Sequence, residues 1–218
     1  MLPMNRHMEP VVYRLRLHTP HVPRCIRQVM LPDLEGTVHL SVEGGCGGTT
    51  FALQHARQVL STGSHVIWVC NEIPDGNRFS QLYSNVAPSA VSRMHLIAIG
   101  DNLEQGIRSA TGLLDVLNNI ALVVVDDWTA KVGRVTTNSK NLISNLSESC
   151  KISATPLLIV SSAYEDANSG GWKARGNLED FDVYFLHRSN VNSMIRELHI
   201  AGDVQEYILE DEGFTRRK

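Results

Sequence analysis

Cysteine is scarce: four residues in 218, at Cys25, Cys46, Cys70 and Cys150, with no Cys-x-x-Cys pair. That excludes a disulfide-built scaffold and a zinc-finger fold, and leaves separate reduced thiols in an intracellular protein as the expectation. The nine histidines are as scattered; a metal site at His18 and His21, the nearest pair, is not expected. No apolar run approaches the roughly 20 residues that span a bilayer. Residues 1–6 lead into polar, proline-bearing sequence rather than a signal-peptide apolar stretch, so the chain is expected to be soluble and not secreted. An excess of one charge is missing too: 20 Lys and Arg stand against 23 Asp and Glu, a net charge of −3. This excludes a wholly basic nucleic-acid coat but leaves room for a local basic loop, because binding follows the distribution of charge. Internal repeats and low-complexity tracts are absent as well.

What is present is alternation. Segments 38–42, 65–70, 96–99, 122–125 and 157–160 are short and rich in Val and Ile, as strands buried on both faces must be. Between them, Leu53, Ala56 and Leu60 form one helical stripe, and Leu103, Ile107, Ala110, Leu114 and Leu117 form another. Leu142, Leu146 and Cys150 mark a third, opened by the capping cluster 136–139. Strand–helix alternation predicts a mostly parallel α/β sheet flanked by helices. Residues 163–180 read as a long polar loop. Segments 182–186, 194–200 and 204–209 read as consecutive strands, an antiparallel C-terminal extension. The division expected is an N-terminal segment 1–30 (with a candidate strand at 11–17, or an arm for a partner), a core 31–214 and a frayed basic tail 215–218.

The stretch 38–54 carries the chemistry. A strand runs into Gly44-Gly45-Cys46-Gly47-Gly48, and a helix opens at about Thr49. Unpaired backbone N–H groups at such a helix start converge on an anion. The usual phosphate-loop pattern is Gly-x-x-x-x-Gly-Lys-Ser/Thr; aligned on Thr49, Val42 stands at the first glycine and Gly48 at the lysine. The lysine supplies charge to the β- and γ-phosphates. Without it, Gly44, Gly45, Cys46, Gly47, Gly48, Thr49 and Thr50 are a degenerate nucleotide-binding set, suited to weak or structural ATP binding. A plain flexible turn explains the glycines equally well. Gly48→Lys is expected to improve ATP binding where the backbone keeps its phosphate-binding shape. Asp126, ending an apolar strand, together with Thr49 would hold Mg²⁺ if Mg·ATP binds. Glu72, closing the strand after the first helix, is a vestigial catalytic candidate, placed to orient a water.

In order, these segments resemble the RecA/RadA recombinase family. Residues 45–54 look like its Gly-Lys-Thr-Thr-x-x-x-Gln run with the lysine replaced, and 66–79 look like the segment bearing its catalytic glutamate, at Glu72 here. Residues 122–126 are similar to its Mg²⁺ strand, and 157–162 to the strand leading to its second DNA-binding loop. Gly170-Gly171 and the ending 207–214 complete a likeness over about 35–214. The departures are the missing lysine, Val42, Ser161-Ser162 in place of a nucleotide-sensing glutamine, and no Phe-x-x-Ala polymerisation motif.

The resemblance implies a divergent paralogue that needs no cofactor and binds a recombinase or another paralogue in a hetero-oligomer. It would support filaments on single-stranded DNA, in the nucleus of a eukaryote or otherwise the cytoplasm. Trp172, Lys173 and Arg175 are its DNA-contact candidates, an indole for stacking and two cations for phosphate, set among Glu165, Asp166, Glu179 and Asp180. Asp126, Asp127 and Trp128 are candidates for a partner interface, although the Trp128 indole serves equally to cover the local core. Two other readings stay open: an active DNA-dependent ATPase of the RecA/RadA type that borrows a cation, with Lys131 and Lys140 as distant candidates, and a RecA-fold scaffold in a non-repair complex.

Overall fold

Val and Ile tolerate a strand whose two faces are both covered, and helices between such strands force parallel crossovers. The chain obeys both rules. A computed structural model describes residues 31–100, 102–129, 133–166 and 171–217. The segment 1–30, with Cys25, His18, His21 and the candidate strand 11–17, lies outside the described residues, as do Lys131, Gly170 and Lys218.

Strand β1 (Thr37–Val42) leads to α1 (Gly48–Ser61), β2 (His65–Cys70), α2 (Gly76–Tyr83), α3 (Pro88–Val91) and β3 (Met94–Ala98). Then follow α4 (Leu103–Val116), β4 (Ile120–Asp126), α5 (Thr137–Ile152) and β5 (Leu157–Glu165). The chain ends with β6 (Trp172–Ala174), β7 (Asp182–Arg188), β8 (Ile195–Ile200), β9 (Asp203–Glu210) and β10 (Gly213–Arg216). The sheet order is β10-β9-β8-β7-β1-β5-β4-β2-β3. From β7 to β3 every pairing is parallel, and β7 through β10 form an antiparallel meander. The mostly parallel α/β architecture with an antiparallel C-terminal extension is the one that the alternation predicts.

Polar side chains start the helices where backbone N–H groups lack partners. Asp75 accepts from Arg78 N at 2.8 Å, Asn102 from Gln105 N at 3.0 Å, and Thr136 from Ser139 N at 3.0 Å. Two cores flank the sheet. One gathers Leu40, Phe51, Leu53, Leu60, Trp68 and Phe214 beneath α1; the other gathers Ile67, Val123, Ile143, Leu146 and Ile159 beneath α4 and α5. Both faces of the central strands are therefore dry. Among the described residues no helix is long and apolar enough to cross a membrane.

Two expectations need correction, and two helices are additions. The stretch 163–180 is not all loop: β5 continues to Glu165, and β6 returns antiparallel with Tyr164 opposite Lys173. Polar side chains fit there because residues 162–165 and 172–174 are half-buried or exposed. The tail is not frayed from Thr215: β10 carries Thr215 and Arg216 into the sheet, and Arg217 pairs with Glu206 at 2.8 Å. Helices α2 and α3 were not foreseen; α2 buries little beyond Leu82 and Tyr83, so its apolar stripe is too short to register.

Candidate functional site

Parallel strands put all their C-terminal ends on one edge, where ligands of open α/β sheets bind. At that edge β1 delivers Glu43, β7 delivers Arg188, β4 delivers Asp126, and β5 delivers Val160 and Ser161. Strand β5 lies between β1 and β4. The glycine loop emerges from the middle of this edge, since β1 is flanked by β5 and β7.

The loop turns tightly. Glu43 N donates to Leu186 O at 2.9 Å, and Cys46 N donates to Glu43 O at 3.0 Å. Gly47, with φ of 95°, precedes α1 in the left-handed region and offers no side-chain cap, so the first amides of α1 have no capping oxygen. A negative group does lie against the loop, but it belongs to the protein. Glu43 Oε1 pairs with Arg188 Nη1 at 2.6 Å, and Glu43 Oε2 accepts Arg188 N–H at 2.7 Å. Burial works to raise the Glu43 pKa, but the two Arg188 hydrogen bonds and that of the Cys46 thiol prevail and hold it below the ordinary value. Burial raises the Cys46 thiol to about 11, with the Glu43 charge adding to it, which leaves no reactive thiolate.

Gly48 is a packing residue. A Cβ there would lie 2.8 Å from Val42 Cγ2 and 2.9 Å from Val160 Cγ1. Valine at the position of the first signature glycine thus closes the space that a lysine stem needs. The following hydroxyls are also engaged within the chain. Thr49 hydrogen-bonds Asp126, and the Thr50 oxygen accepts Arg78 Nε–H at 3.0 Å. Arg78 further donates to Asp211 O and Glu210 O, both at 2.9 Å, tying α1 to the β9–β10 turn. Desolvation raises Asp126 to about 6 despite the Thr49 hydrogen bond, with the neighbouring Asp127 charge adding to the rise. The groups around the loop are therefore complementary to one another: a carboxylate takes the guanidinium, and a buried acid takes the first hydroxyl.

Of the residues that the sequence singled out, Gly44–Thr50 and Asp126 come together. Glu72 lies just beyond β2, exposed, on the same edge, two residues past the partner of Asp126 in the sheet register. Trp172, Lys173 and Arg175 lie on or just after β6, and each has a partner. Trp172 stacks on His187 with ring centroids 5.3 Å apart. Lys173 Nζ pairs with Asp166 at 2.6 Å, and Arg175 Nη1 donates to Gly133 O at 2.7 Å. Trp128 corrects the expected partner interface: its indole is buried in the second core against Gly176, so it anchors the fold. Asp127, half-buried, stays at the strand end. Lys140, a candidate surrogate cation, is engaged by Asn177 O at 3.1 Å.

Sequence reasoning missed Glu43, Arg188 and Arg78. An acid directly before the glycines was a visible signal for the first. Arg188 lies far along the chain, and only the β1–β7 pairing brings it to the loop.

No protein-family model and no curated protein matches this sequence. Solved structures do match it. The RadB recombinase crystal structure is 20% identical, covers 85% of this chain and 93% of its own, and superposes with a TM-score of 0.69. A KaiC-like protein from Pyrococcus horikoshii is 15% identical, covers 85% of this chain and 90% of its own, with a TM-score of 0.63. At such identities the likeness establishes the fold, and the chain has a RecA-like α/β fold.

Proposed function

We propose that this protein is a RecA-fold accessory factor of homologous recombination with little or no ATP hydrolysis of its own. It binds a recombinase or another recombinase paralogue and supports its filament on single-stranded DNA. The observation that carries the reading is the Glu43–Arg188 pair lying against a loop whose lysine position is packed against Val42 and Val160. The Glu43 carboxylate already holds the Arg188 guanidinium that would otherwise attract a triphosphate, and Gly48 at the signature position offers no charge to balance that which develops in phosphoryl transfer. The fold shared with the RadB recombinase supports placing the protein in recombination, and so does the order of motifs along the chain.

If nucleotide does not bridge subunits, protein contacts must do so. The β7–β8 turn exposes Val191 (96%) and Met194 (71%), apolar side chains suited to a partner surface. For DNA, the β5–β6 hairpin with Trp172, Lys173 and Arg175 is the contact we assign.

Affinity purification of the full chain from its native cells, with an ATPase assay on the purified protein, tests this. Recovery of a recombinase or recombinase paralogue, with turnover far below about 1 s⁻¹, the low end of ordinary enzymes, is the expected result. Turnover at or above that rate would favour the working-ATPase reading, with Arg188 in the lysine's role. Recovery of RNA-modifying subunits without a recombinase would favour a scaffold outside repair.

A further inference from the structure

On the sheet face away from α1, the β7–β8 ladder sets His187 opposite Glu197, with His199 two residues further on the same face. One nitrogen from each histidine and one Glu197 oxygen all lie within 4.8 Å of one another. His199 Nε2 and Glu197 Oε2 are 3.3 Å apart. Zinc bonds of about 2.0–2.1 Å place neighbouring tetrahedral donors about 3.4 Å apart, so this pair already has the required spacing.

The surroundings orient the donors. His187 Nδ1 lies 2.9 Å from Arg188 O. A carbonyl only accepts, so Nδ1 carries the proton and Nε2 keeps the lone pair in the neutral ring. That arrangement, one imidazole nitrogen anchored to a carbonyl and the other left to bind, is typical of metal-ligating histidines. The Ser189 side chain hydrogen-bonds the Glu197 carboxylate and fixes its position. The His187 ring is held between two others, Trp172 at 5.3 Å and His199 at 4.5 Å between centroids. Glu206, the next carboxylate across the sheet, is occupied by Arg217 at 2.8 Å and stays outside the cluster. His187 is buried while Glu197 and His199 are half-buried, so an ion could enter and keep a water.

We propose that His187, Glu197 and His199 form a binding site for one divalent transition-metal ion of the zinc class, with water as the fourth ligand. Two imidazoles and one carboxylate suit zinc over magnesium or calcium, which take oxygen donors. The ion would clamp β7 to β8 and hold the His187 ring against which Trp172 is stacked. The proposal does not rest on the recombination reading.

The test is titration of the metal-free full chain with ZnCl₂ against a chromophoric chelator, repeated on Glu197→Gln and His199→Gln. We expect one ion per chain bound at micromolar affinity or tighter, and a weakening of at least ~10-fold in each variant. Loss of an outer-sphere partner alone typically costs about 10–100-fold, so Ser189→Ala, expected about tenfold weaker, serves should a ligand variant fail to fold. Metal-free melting of the folded variants should stay within a few degrees of the unsubstituted protein. No saturable zinc binding below about 100 μM overturns the proposal. So does undiminished binding in the folded variants, which would place the ion on other histidines.

Discussion

The Arg188 guanidinium reaches from the end of β7 to the Glu43 carboxylate at the end of β1, and the two meet at 2.6 Å. Both are partly exposed, so the pair adds little to stability by itself. Its consequence is chemical: the strand end that leads into the glycine loop already carries an anion, and that anion already has its cation.

Glu43→Gln removes that negative charge with little change in size, and it frees Arg188 to face a ligand. Pyrophosphate or a non-hydrolysable ATP analogue should then bind at least ~10-fold more tightly. Two unit charges about 4 Å apart near a surface interact by roughly 4 kcal/mol, so tenfold, about 1.4 kcal/mol, is a modest demand. Calorimetry on both proteins decides it; equal affinities would mean that the carboxylate does not guard the loop.

Gly48→Lys is expected not to restore nucleotide binding by itself, contrary to what the loop sequence suggests. Its Cβ meets Val42 and Val160 below 3.0 Å. Forced overpacking of this kind costs about 1–3 kcal/mol. Chemical denaturation should show that loss in the single variant and partial recovery when Val42→Gly is added, since the 2.8 Å contact then disappears. A single variant as stable as the unsubstituted protein would show that the valines move aside.

Lys173 is held by Asp166, so its charge is partly spent before DNA arrives. Lys173→Gln should weaken single-stranded DNA binding and reduce the slope of log affinity against log salt by about 0.7, the share of one phosphate contact. An unchanged slope would remove Lys173 from the interface.

The sheet was legible because its strands are short Val- and Ile-rich runs, and the capped start of α5 because Thr136 sits where a cap belongs. The loop was legible as a loop from Gly44 to Gly48. Its occupancy was not, because Glu43 and Arg188 are 145 residues apart, and only strand order joins them. The metal cluster was hidden for the same reason: His187 and His199 fall on different strands, and no sequence spacing signals a ladder register. Hairpin β5–β6 escaped notice since its polar residues match a loop in composition and a strand in geometry.

Acid should unfold the protein through two buried histidines, opposed by one buried acid. Burial lowers His39 and His55 from 6.5 to about 4. The Ser161 hydroxyl donates to Arg175 O, so His39 Nε2 donates to the Ser161 oxygen, and a charging proton would have to enter at the unpartnered Nδ1. Between these pH values the unfolded chain holds about two more histidine protons, so their stability is full above pH 6.5 and is lost as pH falls toward 4. Asp126 runs the other way. Raised from 3.8 to about 6, it keeps a proton in the folded state that the unfolded chain releases, and so it costs stability as pH rises through the same window. The net near pH 5 from these three groups is about one proton, or roughly 1.4 kcal/mol per pH unit. Asp126→Asn keeps an acceptor for Thr49 and removes the opposing titration. Its slope should steepen to about 2.7 kcal/mol per pH unit, and above pH 6 it should be more stable than the unsubstituted protein by up to about 3 kcal/mol. Urea melts from pH 4.5 to 8 measure both, and identical slopes in the two proteins would show that Asp126 is not the buried, proton-holding acid described here.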